Sequence, residues 1–245
     1  MDDTDELRAE WLVPLEGDTE SLVVLEQLKG SDGCSVKHFA EKTVLASAQF
    51  GGRGAEDIRH VAEKLLAALV GAVRLHDSTF RAVRIGPHLY RTRQGGGEKT
   101  FDQWTLGTPM EMRVVALPPA LGLAAGPSSP PTFGASRLAA AALAQPALAD
   151  VLKWYGQEPV PFNLRKAYEL IRADCGGERA LKGRGWANDS ELSRFKQTLH
   201  HPAAMGDLSL HAKSSEPAPQ NPMTILQATE FMGELIKQWI TYRGF

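Results

Sequence analysis

The sequence predicts an α+β protein, with a small antiparallel sheet and a covering helix in its N-terminal part and a helical bundle in its C-terminal part. Three observations predict it. Residues 11–117 carry short β-branched or alternating apolar runs around one long amphipathic stretch, and residues 136–245 repeat apolar residues at spacings of three and four. Between them, five prolines fall from Pro118 to Gly134, where neither a ladder nor a helix is favoured. The expected layout is an α+β domain at 1–117, a Pro/Gly/Ser-rich linker at 118–135 and a helical bundle domain at 136–245.

Residues 1–10 are acidic and read as a solvated tail. Trp11–Leu15 suits a strand. Asp18 suits the cap of a short helix carrying Leu22, Leu25 and Leu28, although Leu22–Leu25 also reads as a strand. Val36, Thr43 and Val44 favour one or two strands over 34–50. Ile58, Val61, Leu65, Leu69, Ala72 and His76 then keep helical spacing, giving a helix over 55–76 with one buried face. Val83–Arg93 reads as a strand interrupted at Gly86-Pro87, Gly95–Gly97 as a turn, and Phe101–Leu106 and Met110–Leu117 as further strands.

The second half predicts four helices. Residues 136–156 form one, kinked or restarted at Pro146, with Leu148, Val151, Leu152 and Tyr155 as its stripe. Residues 162–175 carry Leu164, Ala167, Tyr168, Ile171 and Cys175 and stop at Gly176-Gly177. Asn188 with Glu191 has the form of a capping box for a helix over 189–201, on which Leu192, Phe195 and Leu199 share one face. Arg194 lies opposite, and Pro202 makes His201 the helix exit. After a long polar loop at 203–220, Asn221 and Pro222 suit the cap and first position of a last helix. Its stripe of Ile225, Ala228, Met232, Leu235, Trp239 and Tyr242 suits a bundle core or a dimer seam.

With 245 residues, 43 % of them hydrophobic, the chain can bury a sizeable core, and a net charge of -2 rules out a global basic field. No run of about 18 apolar residues and no charged-then-apolar leader occurs, so a cytoplasmic protein without a membrane span is expected. Cys34 and Cys175 are too few for a disulfide framework. Neither a phosphate-binding GxxxxGK[ST] loop nor HExxH, CxxC or GxSxG is present, so no cofactor or metal is expected.

The densest chemistry lies between Glu178 and Lys213, where six Lys or Arg stand against four Asp or Glu beside Trp186 and three histidines. Arg184, Trp186 and Lys196 are candidate nucleic-acid contacts, because cations beside an aromatic suit phosphate contact and base stacking. The same charges also suit an ordinary solvated helix and loop.

The runs Tyr168–Arg172, Gly176-Gly177, Gly185-Trp186, Ser190–Phe195 and the final helix from Pro222-Met223 resemble an uncharacterised family of bacterial proteins over about 155–243. Arg194, followed by His200 or His201 near a helix end, resembles the motif of the HEPN superfamily, helical bundles of bacterial toxins and anti-phage defence, many of which cut RNA as dimers. That resemblance implies a catalytic set of Arg194, His200 and His201, with an imidazole moving the 2'-OH proton and the guanidinium stabilising phosphate charge. The plainer alternative has Arg194 as a surface cation and His-His-Pro as a helix stop. The leading expectation is a non-catalytic binding or interaction module of the bacterial cytoplasm, in defence or stress response. It would meet a protein partner or itself through the helical domain. The alternative is a HEPN-like, metal-independent ribonuclease or RNA-binding protein.

Overall fold

The described residues of the first half form strands with two helices and those of the second half form helices, so the chain is α+β. The computed structural model describes residues 10–28, 34–39, 41–95, 98–105, 134–213 and 217–245. Two compact units emerge, Met1–Glu63 with Val83–Phe133 and Lys64–Ala82 with Gly134–Phe245. The expected acidic tail at 1–9, the strand at Met110–Leu117 and the linker residues 118–133 lie outside the described residues.

In the first unit, β1 (Trp11–Glu16), β2 (Cys34–Phe39), β3 (Lys42–Ser47), β5 (His88–Gly95) and β6 (Glu98–Thr105) form an antiparallel sheet in the order β2-β3-β1-β5-β6. The short β4 (Arg84–Ile85) also pairs with β1. Register places Leu12 opposite both Ala46 and Tyr90, and Val13 opposite Leu45. Trp11 to Leu15 are all buried, as befits a central strand covered on both faces, and this explains a continuous apolar run in place of alternation.

Pro14 is tolerated in that strand because β1 changes partner there, from β5 at Leu12 to β4 at Leu15. The carbonyl of Pro14 accepts from the Gly86 N–H at 2.8 Å, and its missing donor faces the same break in the ladder. Asp18 settles the ambiguity of residues 19–28. Its carboxylate accepts from the Ser21 N–H and hydroxyl, and α1 (Thr19–Gln27) is a helix that packs on β2.

Helix α2 (Ala55–Arg74) is the long amphipathic stretch. Its first turns, with Ile58 and Ala62 fully buried, group with the sheet, whereas Lys64 onward groups with the helices. The second unit continues with α3 (Gly134–Ala144), α4 (Pro146–Gly156), α5 (Pro161–Asp174), α6 (Glu178–Gly183), α7 (Asp189–His200), α8 (Pro202–Met205) and α9 (Ile225–Arg243). Pro146 restarts the chain as a new helix instead of kinking one, since a first-turn proline gives up no helical hydrogen bond. The short helices α6 and α8 fall where no helix is expected.

Two expectations for the last helix are corrected. Its cap is Thr224, whose hydroxyl accepts from the Gln227 N–H while the Gln227 side chain accepts from the Thr224 N–H, so Asn221-Pro222 precede the helix. Tyr242 also leaves the buried stripe of Ala228, Met232, Leu235 and Trp239 and is 53 % exposed. Among the described residues no helix is long and apolar enough to cross a membrane.

The helical unit turns on one buried cation. Arg74, 3 % exposed, donates from Nε and Nη2 to the Phe80 carbonyl at 3.1 and 2.6 Å, and from Nη1 to the carbonyls of Tyr155, at 3.3 Å, and Gln157. Tyr155 and Gln157 lie at the C-terminal end of α4, where carbonyls have no helical donor. The backbones of α2 and α4 meet closely enough that a Cβ at Gly156 would lie 2.7 Å from the Gly71 nitrogen, and one at Gly71 would strike the Leu152 carbonyl. Gly71→Ala is therefore expected to destabilise this unit by about 1–3 kcal/mol or more. Gly134→Ala, at a position with nothing within 4 Å of the added carbon, should have little effect in the same denaturant titration.

Candidate functional site

Helix α7 carries most of the candidate residues, and its start is as expected. Asn188 accepts from the Glu191 N–H at 2.8 Å, the Asn188 N–H donates to the Glu191 carboxylate at 3.2 Å, and Leu192, Phe195 and Leu199 are buried. The opposite face does structural service. Arg194 donates from Nε to the Asn221 carbonyl at 2.7 Å and from Nη2 to the Gln227 side chain at 3.3 Å and the Pro222 carbonyl at 3.5 Å. One turn on, the Thr198 hydroxyl accepts from the Met223 N–H at 2.9 Å. Arg194 and Thr198 thus hold the segment that leads into α9.

The two histidines at the end of α7 diverge. His201 adopts an extended backbone, and its Nδ1 accepts from the Ala203 N–H at 3.0 Å to cap α8. His200 Nδ1 lies 2.8 Å from His211 Nε2, and its Nε2 meets the guanidinium of Arg165. Because a guanidinium only donates, His200 Nε2 accepts, leaving its proton on Nδ1 for the bond to His211. Arg165 in turn donates from Nε to Glu169 at 2.7 Å, and that hydrogen bond holds the Glu169 carboxyl below the usual carboxylate range against the opposing effect of burial. Arg194 thus bonds to residues leading into α9, and His200 bonds to Arg165 and His211.

Of the expected nucleic-acid contacts, Arg184 and Trp186 come together and Lys196 takes another role. The Lys196 ammonium bridges both oxygens of Glu178 at 2.9 and 3.1 Å, and Tyr168 donates to the same carboxylate at 3.0 Å. The Lys196 hydrogen bond is the main reason the Glu178 carboxyl sits below its ordinary range. Burial first, and then the Glu178 carboxylate, push the Tyr168 phenol up to about 12. This network ties α5, α6 and α7.

Arg184 lies 5.5 Å from the Trp186 ring centre and 4.5 Å from that of Tyr242, and it donates to the Tyr242 hydroxyl at 3.1 Å. The two rings meet edge to face at 5.4 Å. Tyr242, Arg165 and the pairing of His211 with His200 were not legible as parts of these clusters. Tyr242 continues the helical spacing of a buried stripe, and the other contacts join separate segments.

Among the described residues, no group of three or more His, Cys, Asp or Glu is placed to hold a metal ion. Compared with known proteins, the chain matches no family model, no curated protein and no solved structure.

The Glu178 network has a testable pH signature. A carboxyl held below its unfolded value contributes stability that is fully present above about pH 4.5 and is lost as pH falls through its lowered folded value. Denaturant titrations from pH 7 to pH 3 should show a steeper acid limb for the native chain than for Glu178→Gln. Equal limbs would remove this carboxylate from the acid response.

Proposed function

We propose that the chain is a non-catalytic interaction module that meets a partner protein through Arg184, Trp186 and Tyr242 of its helical unit. The observation that carries this reading is the cluster itself, in which the exposed Arg184 guanidinium is held against the half-buried Trp186 ring and the exposed Tyr242 ring. Arg, Trp and Tyr dominate binding energy at protein interfaces, and a cluster already fixed by its own contacts loses little side-chain freedom on docking.

The charges nearby favour protein over RNA. A phosphate backbone needs a track of cations, yet Lys196 is paired with Glu178 and Lys182 with Asp189. The Arg184 guanidinium then suits a partner that presents a carboxylate beside an apolar side chain. On the resemblance read from the sequence, we propose that such a module works in the bacterial cytoplasm in a defence or stress response.

A second reading, a metal-independent ribonuclease, is favoured by one observation, the imidazole pair of His200 and His211 beside the Arg165 guanidinium. Proton transfer and phosphate stabilisation would then rest on His200 and Arg165, with Arg194 in a structural role.

Two measurements separate the readings. For a partner identified by affinity capture and then purified, the Kd should rise about tenfold or more for Arg184→Ala and for Tyr242→Ala. Unchanged affinity in both variants would overturn the interface. Incubation of the chain with varied RNAs in EDTA should leave them intact, whereas cleavage lost on His200→Ala would establish the ribonuclease.

A further inference from the structure

The helical unit carries a row of four side chains at the joint between α4 and α5. Trp154, in the last turn of α4, meets Phe162, in the first turn of α5, edge to face at 5.7 Å. Lys153 holds its ammonium 5.6 Å from the Trp154 ring centre, and Lys166 holds its own 5.4 Å from that of Phe162. The four are thus linked by contact in the order cation, ring, ring, cation. Phe162 is 49 % exposed, Lys153 is exposed, and Trp154 and Lys166 are half-buried.

A single exposed ring needs no explanation. This one is marked by the unused bonding capacity around it. Among the described residues neither Lys153 nor Lys166 makes a hydrogen bond or ion pair, since each ammonium meets only a ring face. Glu169, close enough to Lys166 to feel its charge, is already hydrogen-bonded to Arg165. The Trp154 indole N–H likewise has no acceptor among the described residues. A ring face attracts a cation but carries no net charge, so both ammonium groups remain able to take a carboxylate. Pro161 at the head of α5 and the edge-to-face contact fix the rings, so docking on them costs little side-chain freedom.

We propose that this row is a second docking surface, for a short acidic peptide segment that presents carboxylates on both sides of an apolar side chain. The apolar side chain covers the exposed Phe162 ring, Lys153 and Lys166 receive the carboxylates, and the Trp154 indole donates to a peptide carbonyl. Charge selects a peptide over a nucleic acid. Asp150, one turn before Trp154, and Glu158, in the connection that leads to α5, are exposed carboxylates that repel a continuous phosphate chain, whereas separate carboxylates can avoid them. The surface is distinct from the cluster around Arg184, which donates to the Cys175 carbonyl at the far end of α5, about 20 Å along the helix from Phe162. The inference therefore stands or falls separately from that interface.

The test is an NMR titration of the full chain with the blocked peptide Gly-Glu-Thr-Leu-Thr-Glu-Gly, its counterpart with Gln for both Glu, its counterpart with Ser for Leu, and octauridylate. The first peptide should shift the Trp154 indole signal and the Phe162 and Lys166 amides at up to millimolar concentration. The Gln and Ser counterparts should each bind about threefold more weakly or worse. Phe162→Ala should remove the shifts, and Lys153→Ala combined with Lys166→Ala should make the Glu and Gln peptides bind alike. Phe162 and Lys153 lie at the surface, so an otherwise unchanged spectrum reports an intact fold, and the lysine pair decides the matter if the ring variant does not fold. The proposal is overturned if the first peptide shifts none of these signals or only those of Trp186 and Tyr242, or if either counterpart binds as well. It is equally overturned if the folded variants bind as the native chain does, or if octauridylate binds these residues more tightly than the peptide.

Discussion

The helical unit depends on satisfying backbone carbonyls where helix ends are buried. A buried carbonyl without a donor costs about 1–3 kcal/mol, and the end of α4 presents several. Arg74 answers this with a guanidinium whose donors reach the carbonyls of Phe80, Tyr155 and Gln157 from one side chain. Burial lowers its pKa, but a guanidinium starts so high that it stays charged, and an ammonium in its place would offer fewer donors without the planar fork. The contact is possible only because Gly71 and Gly156 let the two backbones approach. Tyr155 extends the arrangement by donating to the Thr229 carbonyl at 3.2 Å, which brings α9 onto the same centre.

The same logic governs the rest of the unit. Helix α6 has six residues and one fully buried apolar side chain, Leu181, so apolar burial alone does not fix it. Glu178 supplies the missing constraint by accepting from Tyr168 of α5 and Lys196 of α7. At the other end of α7, Arg194 and Thr198 hold residues 221–223 before α9 begins. Trp239 donates to Asp174 at 2.8 Å, so the far end of α9 is fixed to the end of α5. Each of these bonds places a polar or charged side chain on a backbone group or counter-charge that packing would otherwise strand.

Local signals in the sequence match the fold, and signals that compete locally do not decide it. The capping box at Asn188 and Glu191, the helix stop at Gly176-Gly177 and the amphipathic stretch in α2 all follow from residues within a turn or two of each other. The start of α9 is ambiguous in the sequence because Asn221-Pro222 and Thr224 with Gln227 are both sound start signals. Only the capture of the Met223 N–H and the Asn221 and Pro222 carbonyls by α7 decides between them. The division of α2 between the two units is likewise invisible to periodicity, since a helix with one apolar face gives no sign of which neighbour covers each turn.

The candidate sites were less legible for a related reason. Arg194 meets Asn221 across 27 residues, Arg165 meets His200 across 35, and Arg184 meets Tyr242 across 58. No spacing rule reaches that far, so a motif that pairs Arg194 with His200 along one helix selects partners by proximity in sequence, while the fold pairs them across helices. Charge composition misleads in the same way: Lys196 is a candidate nucleic-acid contact by sequence, and Lys182 and Arg194 stand among the same cations, yet each is already matched within the fold. What recognition can use is the remainder after those pairings are made. In the helical unit it includes the Arg184 guanidinium, held between the half-buried Trp186 ring and the exposed Tyr242 ring. Function in this chain is therefore better sought by subtracting the charges that hold helices together than by counting the charges that the sequence contains.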